Sequence, residues 1–133
     1  MLRALLDTHV LIRWLADPKR LSREQARIIN DAVHRTEAVA ISAITLLEIA
    51  MLFGRGVLRI HLSLDQVFEQ LEADPLFQIL PLTLEIAKET SFVTSTLRDP
   101  ADCVIVATAR VHGLRLLTSD QRIIQSRVVS AID

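Results

Sequence analysis

Short apolar runs alternate along the chain with longer segments in which apolar residues recur every three or four positions. A short apolar run bounded by turn residues predicts a buried strand. Four runs fit this description, and a fifth candidate lies at the end of the chain. The predicted strands are residues 2–6, 38–42, 77–82 and 114–118, with 127–132 as the candidate fifth.

The segments between these runs predict helices, and two of them carry clear end signals. Ser22 and Gln25 have the spacing of a capping box at the start of a helix. Pro100 stands at the favoured first position of another helix, and Gly113 is a suitable C-cap for it. The predicted helices cover residues 8–15, 22–33, 45–53, 64–71, 84–93 and 100–112, followed by a short helix after Asp120.

This alternation predicts an α/β fold. Strands that alternate with helices form a parallel sheet covered on both faces. We therefore expect a three-layer α/β/α arrangement around a central, mainly parallel sheet of four to five strands, with residues 1–133 as a single domain. Ligands of such folds bind beyond the carboxyl ends of the strands, so the search for function begins directly after each strand.

Composition narrows the setting of the protein. Half of the residues are hydrophobic, and the single Cys103 cannot form a disulfide within the chain, which fits a reducing compartment. No stretch approaches the roughly 20 apolar residues of a membrane span, and the N-terminus lacks the pattern of a signal peptide. We therefore expect a cytoplasmic protein with no membrane partner.

Glu48 stands out in this pattern, because it is the only charged residue between Ala38 and Gly54. A carboxylate that is buried without a partner costs several kcal/mol or more. Solvent exposure or an arginine partner would explain its presence. The other explanation is that Glu48 faces a cation.

Further acids lie where the strands of the predicted sheet end. Asp7 follows the first strand directly, and Asp120 lies just past the fourth. Asp99 and Asp102 stand at the start of a predicted helix, and Glu48 is about one turn into the helix that follows the second strand. We therefore expect these carboxylates to meet at one edge of the sheet.

A cluster of carboxylates predicts a metal site. Like charges about 4 to 6 Å apart raise one another's pKa, and a divalent cation removes this conflict. Oxygen ligands without a Cys/His set suit Mg²⁺ or Mn²⁺. The predicted catalytic and metal-binding residues are Asp7, Glu48, Asp102 and Asp120, with Asp99 as a further candidate ligand. Capping and helix-dipole roles remain the structural alternatives for the four aspartates.

Polar and basic residues near the acids are candidates for supporting roles. The hydroxyl groups that flank the strand ends are positioned to hydrogen-bond a ligand carboxylate or to cap turns: Thr8, Ser42, Thr118 and Ser119. Arg13 and Arg98 are candidates to contact an anionic substrate, with Arg55 and Arg122 as further residues of a basic rim. The formal charge of the chain is −1, so the remainder carries +3 once the four site acids are set aside. The histidines share no metal-ligand spacing, and we expect His9 to have a packing or surface role.

Three segments together resemble the PIN-domain ribonucleases, and in particular the VapC-type toxins of prokaryotic toxin–antitoxin pairs. These segments are LLDTHVLIRWL, SAITLLEIAMLFGRGVL and RDPADCVIVATARVHGLRLLTSD. The resemblance implies a compact α/β/α fold and RNA cleavage that depends on Mg²⁺ or Mn²⁺. It also implies that the four motif acids of the family match Asp7, Glu48, Asp102 and Asp120.

One motif departs from the family pattern. A branch of the family commonly has the run Arg-Asp-Pro-Phe-Asp-Arg, whereas this chain has Arg98-Asp99-Pro100-Ala101-Asp102-Cys103. The acids are kept, but the phenylalanine and the final arginine are absent. The departure therefore concerns substrate contacts more than catalysis.

The expected function is that of a metal-dependent endoribonuclease that acts as the toxin of a toxin–antitoxin pair. The resemblance implies an RNA substrate and a cognate antitoxin protein as partners. We also expect a second copy of the chain, because a mean hydropathy of +0.35 in a small domain leaves apolar surface exposed. The alternative is a non-catalytic PIN-fold module that binds RNA or has a regulatory role. The presence of all four acids argues against that alternative.

Two other protein classes are excluded because residues that they require are absent from this sequence. An aspartyl phosphatase of the haloacid dehalogenase type needs a second aspartate two residues after the nucleophile, and that position is His9 if Asp7 is the nucleophile. A phosphoacceptor receiver domain needs an aspartate at the end of its third strand and a lysine after a later strand. Here the third strand ends in Leu-Pro-Leu and the fourth runs into Thr-Ser-Asp.

Overall fold

The computed structural model describes residues 1–133, which form five strands, seven α-helices and one 3₁₀ helix. The strands are β1 (Leu2–Leu6), β2 (Ala38–Ser42), β3 (Phe77–Leu80), β4 (Leu116–Leu117) and β5 (Ala131–Ile132). The α-helices are α1 (Thr8–Ala16), α2 (Arg23–His34), α3 (Ala43–Gly54), α4 (Leu64–Ala73), α5 (Leu84–Val93), α6 (Pro100–His112) and α7 (Gln121–Ser126), and the 3₁₀ helix spans Pro18–Arg20.

The five strands form one parallel sheet in the order β3-β2-β1-β4-β5. This confirms the predicted three-layer α/β/α fold with its central parallel sheet. Strands β2 and β4 flank β1, so the chain segments that follow these three strands are neighbours at one edge of the sheet. That edge carries the residues expected to form the site.

Each face of the sheet has its own hydrophobic core, as the alternation of side chains along a strand requires. Ala4 and Leu6 of β1 lie in the core that packs against α1, α2 and α4. Leu5, between them, lies in the second core with residues of α6 and α7. The sheet is therefore covered by helices on both faces, and polar groups reach solvent mainly at its edges.

Three strands are shorter than predicted, and backbone hydrogen bonding explains each difference. β3 ends at Leu80 because Pro81 has no N–H to donate to a ladder. β4 begins only at Leu116, since the N–H of Leu114 closes the end of α6 by donating to Ala109 O at 2.9 Å. β5 is confined to Ala131–Ile132 because Arg127, at φ 57°, caps α7 in a left-handed conformation.

The predicted end signals of the helices are confirmed. Ser22 and Gln25 form a complete capping box, and Gly113 caps α6 with φ 64°. Helix α3 starts at Ala43, two residues earlier than predicted, because the Ser42 side chain caps it without an intervening loop. The helices at the functional edge thus begin almost directly from the strand ends. No helix has the length and apolar character that crossing a bilayer demands.

Candidate active site

All five expected acids lie near the carboxyl edge of the sheet, where they influence one another electrostatically. Burial, followed by the charges of neighbouring carboxylates, raises the pKa of Asp102 to about 7. Those neighbours are, in decreasing order of effect, Asp99, Asp7, Asp120 and Glu48. The chain segments after β1, β2 and β4 and the start of α6 therefore bring all five predicted carboxylates within electrostatic reach of one another.

Asp7 is the most buried of these acids, with 6% of its surface exposed. It caps α1, because its Oδ1 accepts a hydrogen bond from the Thr8 amide at 2.8 Å. Its Oδ2 accepts a 2.6 Å hydrogen bond from the Thr118 hydroxyl, which belongs to the segment after β4. Both oxygens are fixed, so the carboxylate is held in one orientation between β1 and β4.

Glu48 is held by a chain of hydroxyl groups. Thr8 Oγ1 donates to Glu48 Oε1 at 2.5 Å and lies 2.9 Å from the Thr45 hydroxyl. Because the single hydroxyl proton of Thr8 goes to Glu48, Thr45 is the donor of the second bond. Burial raises the pKa of Glu48, the bond from Thr8 lowers it, and the charges of Asp7 and Asp99 raise it again. The Glu48 side chain of the apolar helix α3 is thus directed toward the other acids and not into solvent.

Asp120 is paired with an arginine. It caps α7 and accepts a 3.0 Å hydrogen bond at Oδ2 from Arg122 Nη2. The same Nη2 lies 3.9 Å from Asp102 Oδ2. The bond from Arg122 lowers the pKa of Asp120, so this acid is ionised where Asp102 and Glu48 resist ionisation.

Asp99 occupies a more exposed position. Its Oδ1 accepts from the amides of Ala101 and Asp102, at 2.8 and 3.2 Å, and caps α6. Its charge is nevertheless the largest electrostatic influence on Asp102 after burial. Capping therefore accounts for its geometry, and its charge adds to the negative potential of the site.

A family comparison bears on this arrangement of acids. The family model of the PIN domain matches residues 4–129, which is nearly the whole chain. The chain belongs to the PIN-domain family. The match covers the segments that carry all five carboxylates.

Known relatives of this PIN domain agree with that assignment. The chain is 32% identical over 124 residues to Ribonuclease VapC22 of Mycobacterium tuberculosis, and the alignment covers 92% of this chain and 91% of the relative. It resembles the crystal structure of FitAcB from Neisseria gonorrhoeae with a TM-score of 0.70 and 26% identity, over 97% of this chain and 96% of the other. A toxin–antitoxin complex from Klebsiella pneumoniae, 22% identical, shares the fold with a TM-score of 0.63 over 98% and 96% of the two chains. The resemblance to VapC-type proteins seen in the sequence is confirmed.

The supporting residues expected in this PIN domain divide into those near the acids and those away from them. Thr8 and Thr118 contact acids directly, as described above. Ser119 accepts hydrogen bonds from Arg13 at 3.1 Å and from Gln25 at 3.3 Å. Ser42 instead caps α3 through the Ile44 amide at 3.2 Å and contacts no acid.

The basic residues also divide. A cavity of about 270 Å³ at the site is lined by Asp7, His9, Arg13, Ser119, Asp120 and Arg122. Arg13, Arg122 and His9 therefore border the acids, and His9 does so from an exposed position. Arg98 and Arg55 are exposed and have no carboxylate partner.

Three contributions at the site were not assigned from the sequence. Thr45 completes the chain of hydroxyl groups that leads through Thr8 to Glu48. Gln25, assigned only to a capping box, also donates to Ile132 O at 3.2 Å and so ties α2 to β5. Arg122, assigned to a rim, bridges two acids. The spacing of Thr45 and Glu48, three residues apart on one helix, is the one available signal.

The chemistry of the donor set fits a hard divalent cation. All the candidate ligands are carboxylate oxygens, and burial together with neighbouring carboxylates raises the pKa values of Asp102 and Glu48. No three Asp, Glu, His or Cys side chains converge as they stand in the geometry of an ion site. In this arrangement Asp7 and Glu48 accept hydrogen bonds from threonines, and Asp120 is paired with Arg122.

Proposed function

We propose that this PIN domain is a metal-dependent endoribonuclease that hydrolyses RNA phosphodiester bonds in the cytoplasm, as the toxin of a toxin–antitoxin pair. One observation carries the proposal: carboxylates from four separate segments share one edge of the sheet, and two of them have raised pKa values. Carboxylates whose pKa values are raised by burial and by neighbouring charges are typical of a functional site. The 32% identity to a relative named a ribonuclease supports RNA as the substrate.

Asp7, Glu48, Asp102 and Asp120 would hold Mg²⁺ or Mn²⁺, with Asp99 as an outer contributor. When bound, such an ion supplies Lewis-acid chemistry that offsets charge on phosphoryl oxygens and makes water more acidic. The chain itself supplies orientation. Thr118 and the Thr8 amide fix Asp7, and the hydroxyl chain from Thr45 through Thr8 fixes Glu48.

Arg13 and Arg122 would contact the RNA backbone. Both guanidinium groups border the cavity that holds Asp7 and Asp120. Arginine makes bidentate contacts to phosphate, so Arg122 would exchange its carboxylate partners for a phosphate when RNA and a cation are present. Arg98, exposed near the start of α6, would contact RNA farther from the cleaved bond.

Exposed apolar residues support the proposed protein partners. Leu47 and Met51 lie one turn apart on α3, and Leu84 and Phe92 lie on α5 with 93% and 64% of their surfaces exposed. Large exposed apolar residues mark interaction sites when they are clustered. We expect a homodimer together with a cognate antitoxin. Light scattering of the purified chain should give a dimer mass, and a monomer at micromolar concentration would contradict the homodimer.

The non-catalytic PIN-fold module remains the second candidate, and cleavage assays separate the two. Antitoxin-free protein is incubated with mixed tRNA and rRNA in Mg²⁺, Mn²⁺ or a chelator, beside the Asp7→Asn variant. Glu69→Gln is the matched control, because Glu69 is an exposed acid of α4 with no ion pair. We expect metal-dependent cleavage that Asp7→Asn removes and Glu69→Gln retains. RNA binding without cleavage in any metal would favour the regulatory module.

A further inference from the structure

A second cavity, larger than the one at the acids, lies between α1 and the irregular segment that follows α3. Its volume is about 660 Å³. Helix α1 and the 3₁₀ helix supply one wall, and residues 57–61 supply the other. We call this cavity the basic cleft, because Arg13, Arg20 and Arg59 line it together with His61 and a single carboxylate, Asp17.

The arginines of the basic cleft have no carboxylate partners. Arg13, Arg20 and Arg59 take part in none of the ion pairs within 4.0 Å, and neither does Asp17. Four other arginines of the protein are ion-paired: Arg3, Arg27, Arg110 and Arg122. The cleft thus gathers guanidinium groups that no carboxylate neutralises, although Arg13 donates one hydrogen bond to Ser119. Such groups bind phosphate oxygens in a bidentate manner.

The walls of the cleft are fixed to the body of the protein. Leu21, which follows Arg20, is a buried residue of the first hydrophobic core. Ile60, which follows Arg59, packs against the same core. Arg20 and Arg59 are themselves exposed, so their side chains reach solvent from anchored backbone.

The basic cleft is continuous with the acid site through Arg13. This residue lines both the cleft and the cavity that contains Asp7 and Asp120. A polyanion that passes the acids therefore meets the cleft next. A chain of phosphates fits this arrangement, since one phosphate lies at the acids while its neighbours along the strand meet unpaired arginines.

We propose that the basic cleft binds the single-stranded RNA that flanks the cleaved bond, with Arg20 and Arg59 as phosphate contacts. This inference rests on the proposed RNA-cleaving function. The competing occupant is an acidic segment of a partner protein. RNA is favoured because Arg13 lines both cavities, so that one strand would place a phosphate at the proposed metal site and its neighbouring phosphates in the cleft. Arg20 and Arg59 thus extend the substrate surface beyond the residues near the motifs.

The test compares two double variants in an Asp7→Asn background, so that cleavage does not disturb the binding measurement. Arg20→Ala/Arg59→Ala removes the two cleft charges. Arg35→Ala/Arg115→Ala is the matched control, because these two exposed, unpaired arginines precede β2 and β4 and lie at the opposite edge of the sheet. The probe is a short fluorescein-labelled single-stranded RNA of mixed sequence, and anisotropy is measured from about 50 to 200 mM KCl.

We expect the cleft variant to bind this RNA about tenfold more weakly than its parent, with a salt-dependence slope reduced by about 1.4, since each contact to a single strand contributes about 0.7. The control variant should retain both the affinity and the slope. Equal RNA binding by the two double variants would overturn the inference. A cleft variant that loses affinity for an acidic peptide but keeps its affinity for RNA would also overturn it. Circular dichroism should show the same thermal unfolding for all variants.

The binding comparison and the cleavage assay can fail independently of each other. Absence of cleavage by the protein with all its acids would overturn the endoribonuclease but would leave the binding comparison intact. Cleavage with unchanged RNA affinity in the cleft variant would overturn only the role of Arg20 and Arg59.

Discussion

The hydroxyl of Thr8 donates a 2.5 Å hydrogen bond to the carboxylate of Glu48, which joins the first residue of α1 to the only acid of α3. Asp7, the neighbour of Thr8, is fixed by Thr118. Two adjacent residues after β1 thus organise acids and hydroxyls from the segments that follow its two neighbouring strands. These contacts are possible because β1 is the central strand of the sheet, with β2 and β4 as its neighbours.

Thr8→Val should test this organisation without a large change in volume. Valine removes the hydroxyl, so Glu48 loses the hydrogen bond that lowers its pKa and fixes its position. We expect RNA cleavage to fall about tenfold to a hundredfold, as for the loss of one positioning contact at an active site. The readout is single-turnover cleavage as a function of pH and Mn²⁺ concentration.

Thr8→Ser keeps the hydroxyl and serves as the control. It should restore most of the activity, and its pH profile should match that of the parent protein. Equal loss of activity in the valine and serine variants would show that Thr8 acts only through packing.

Asp102→Asn should stabilise the metal-free protein at neutral and alkaline pH. The pKa of Asp102 is raised to about 7 in the folded state, above the ordinary value of 3.8, mainly by burial. The folded protein therefore binds more protons than the unfolded chain between these values, and stability falls as pH rises through this window. Asparagine removes this penalty. The full shift corresponds to about 4 kcal/mol, and screening by solvent at the half-buried carboxylate lowers the expected gain to about 2 kcal/mol near pH 8.

The measurement is chemical denaturation in the presence of a chelator. Below about pH 3, where the carboxyl is mostly protonated in both states, the gain should vanish. A variant that is less stable than its parent at both pH values would show that the Asp102 carboxylate supports the fold.

Arg122→Ala should strengthen binding of a divalent cation. The guanidinium of Arg122 lies 3.0 Å from Asp120 and 3.9 Å from Asp102, so it competes with an ion for these oxygens. We expect calorimetry to show Mn²⁺ binding about threefold to tenfold tighter, which corresponds to roughly 1 kcal/mol. Weaker Mn²⁺ binding in this variant would contradict the competition.

Cys103 shows why the arginine common in one branch of the family does not fit this chain as it is packed. The thiol is 7% exposed, lies in the second hydrophobic core and donates to Leu97 O at 3.1 Å. Cys103→Ala should cost about 1 kcal/mol. Cys103→Arg should cost about 3 kcal/mol or more, because it would bury a charge without a partner.

Urea denaturation of the two Cys103 variants provides the comparison. Similar stability of the alanine and arginine variants would show that the position can open to solvent.

The sequence predicted the architecture because its signals are local. Apolar runs, the capping box of Ser22 and Gln25, and Gly113 after α6 each act within a few residues, and all of them are confirmed. Strands β4 and β5 were predicted too long. Their first residues depend on where α6 and α7 end, and these helices end at Gly113 and Arg127, which are both left-handed. The conformation of the backbone at a helix end is only weakly related to the hydropathy pattern of the sequence.

The candidate site was predicted as a set of acids but not as a network. The topology rule for parallel sheets correctly brought Asp7, Glu48, Asp102 and Asp120 to one edge. Contacts such as Thr45 to Thr8 join residues 37 positions apart, and spacing along the chain gives no information on them. The metal, the RNA and the role of each acid stay predictions.

The most direct measurement is the cleavage rate of the four amide variants Asp7→Asn, Glu48→Gln, Asp102→Asn and Asp120→Asn in Mn²⁺, each beside Glu69→Gln. The proposed site predicts that every one of the four loses about a hundredfold or more of the rate, while all remain folded and Glu69→Gln keeps its activity. Full activity in the Asp7→Asn or Glu48→Gln protein would contradict the assignment of the carboxylate edge as the active site.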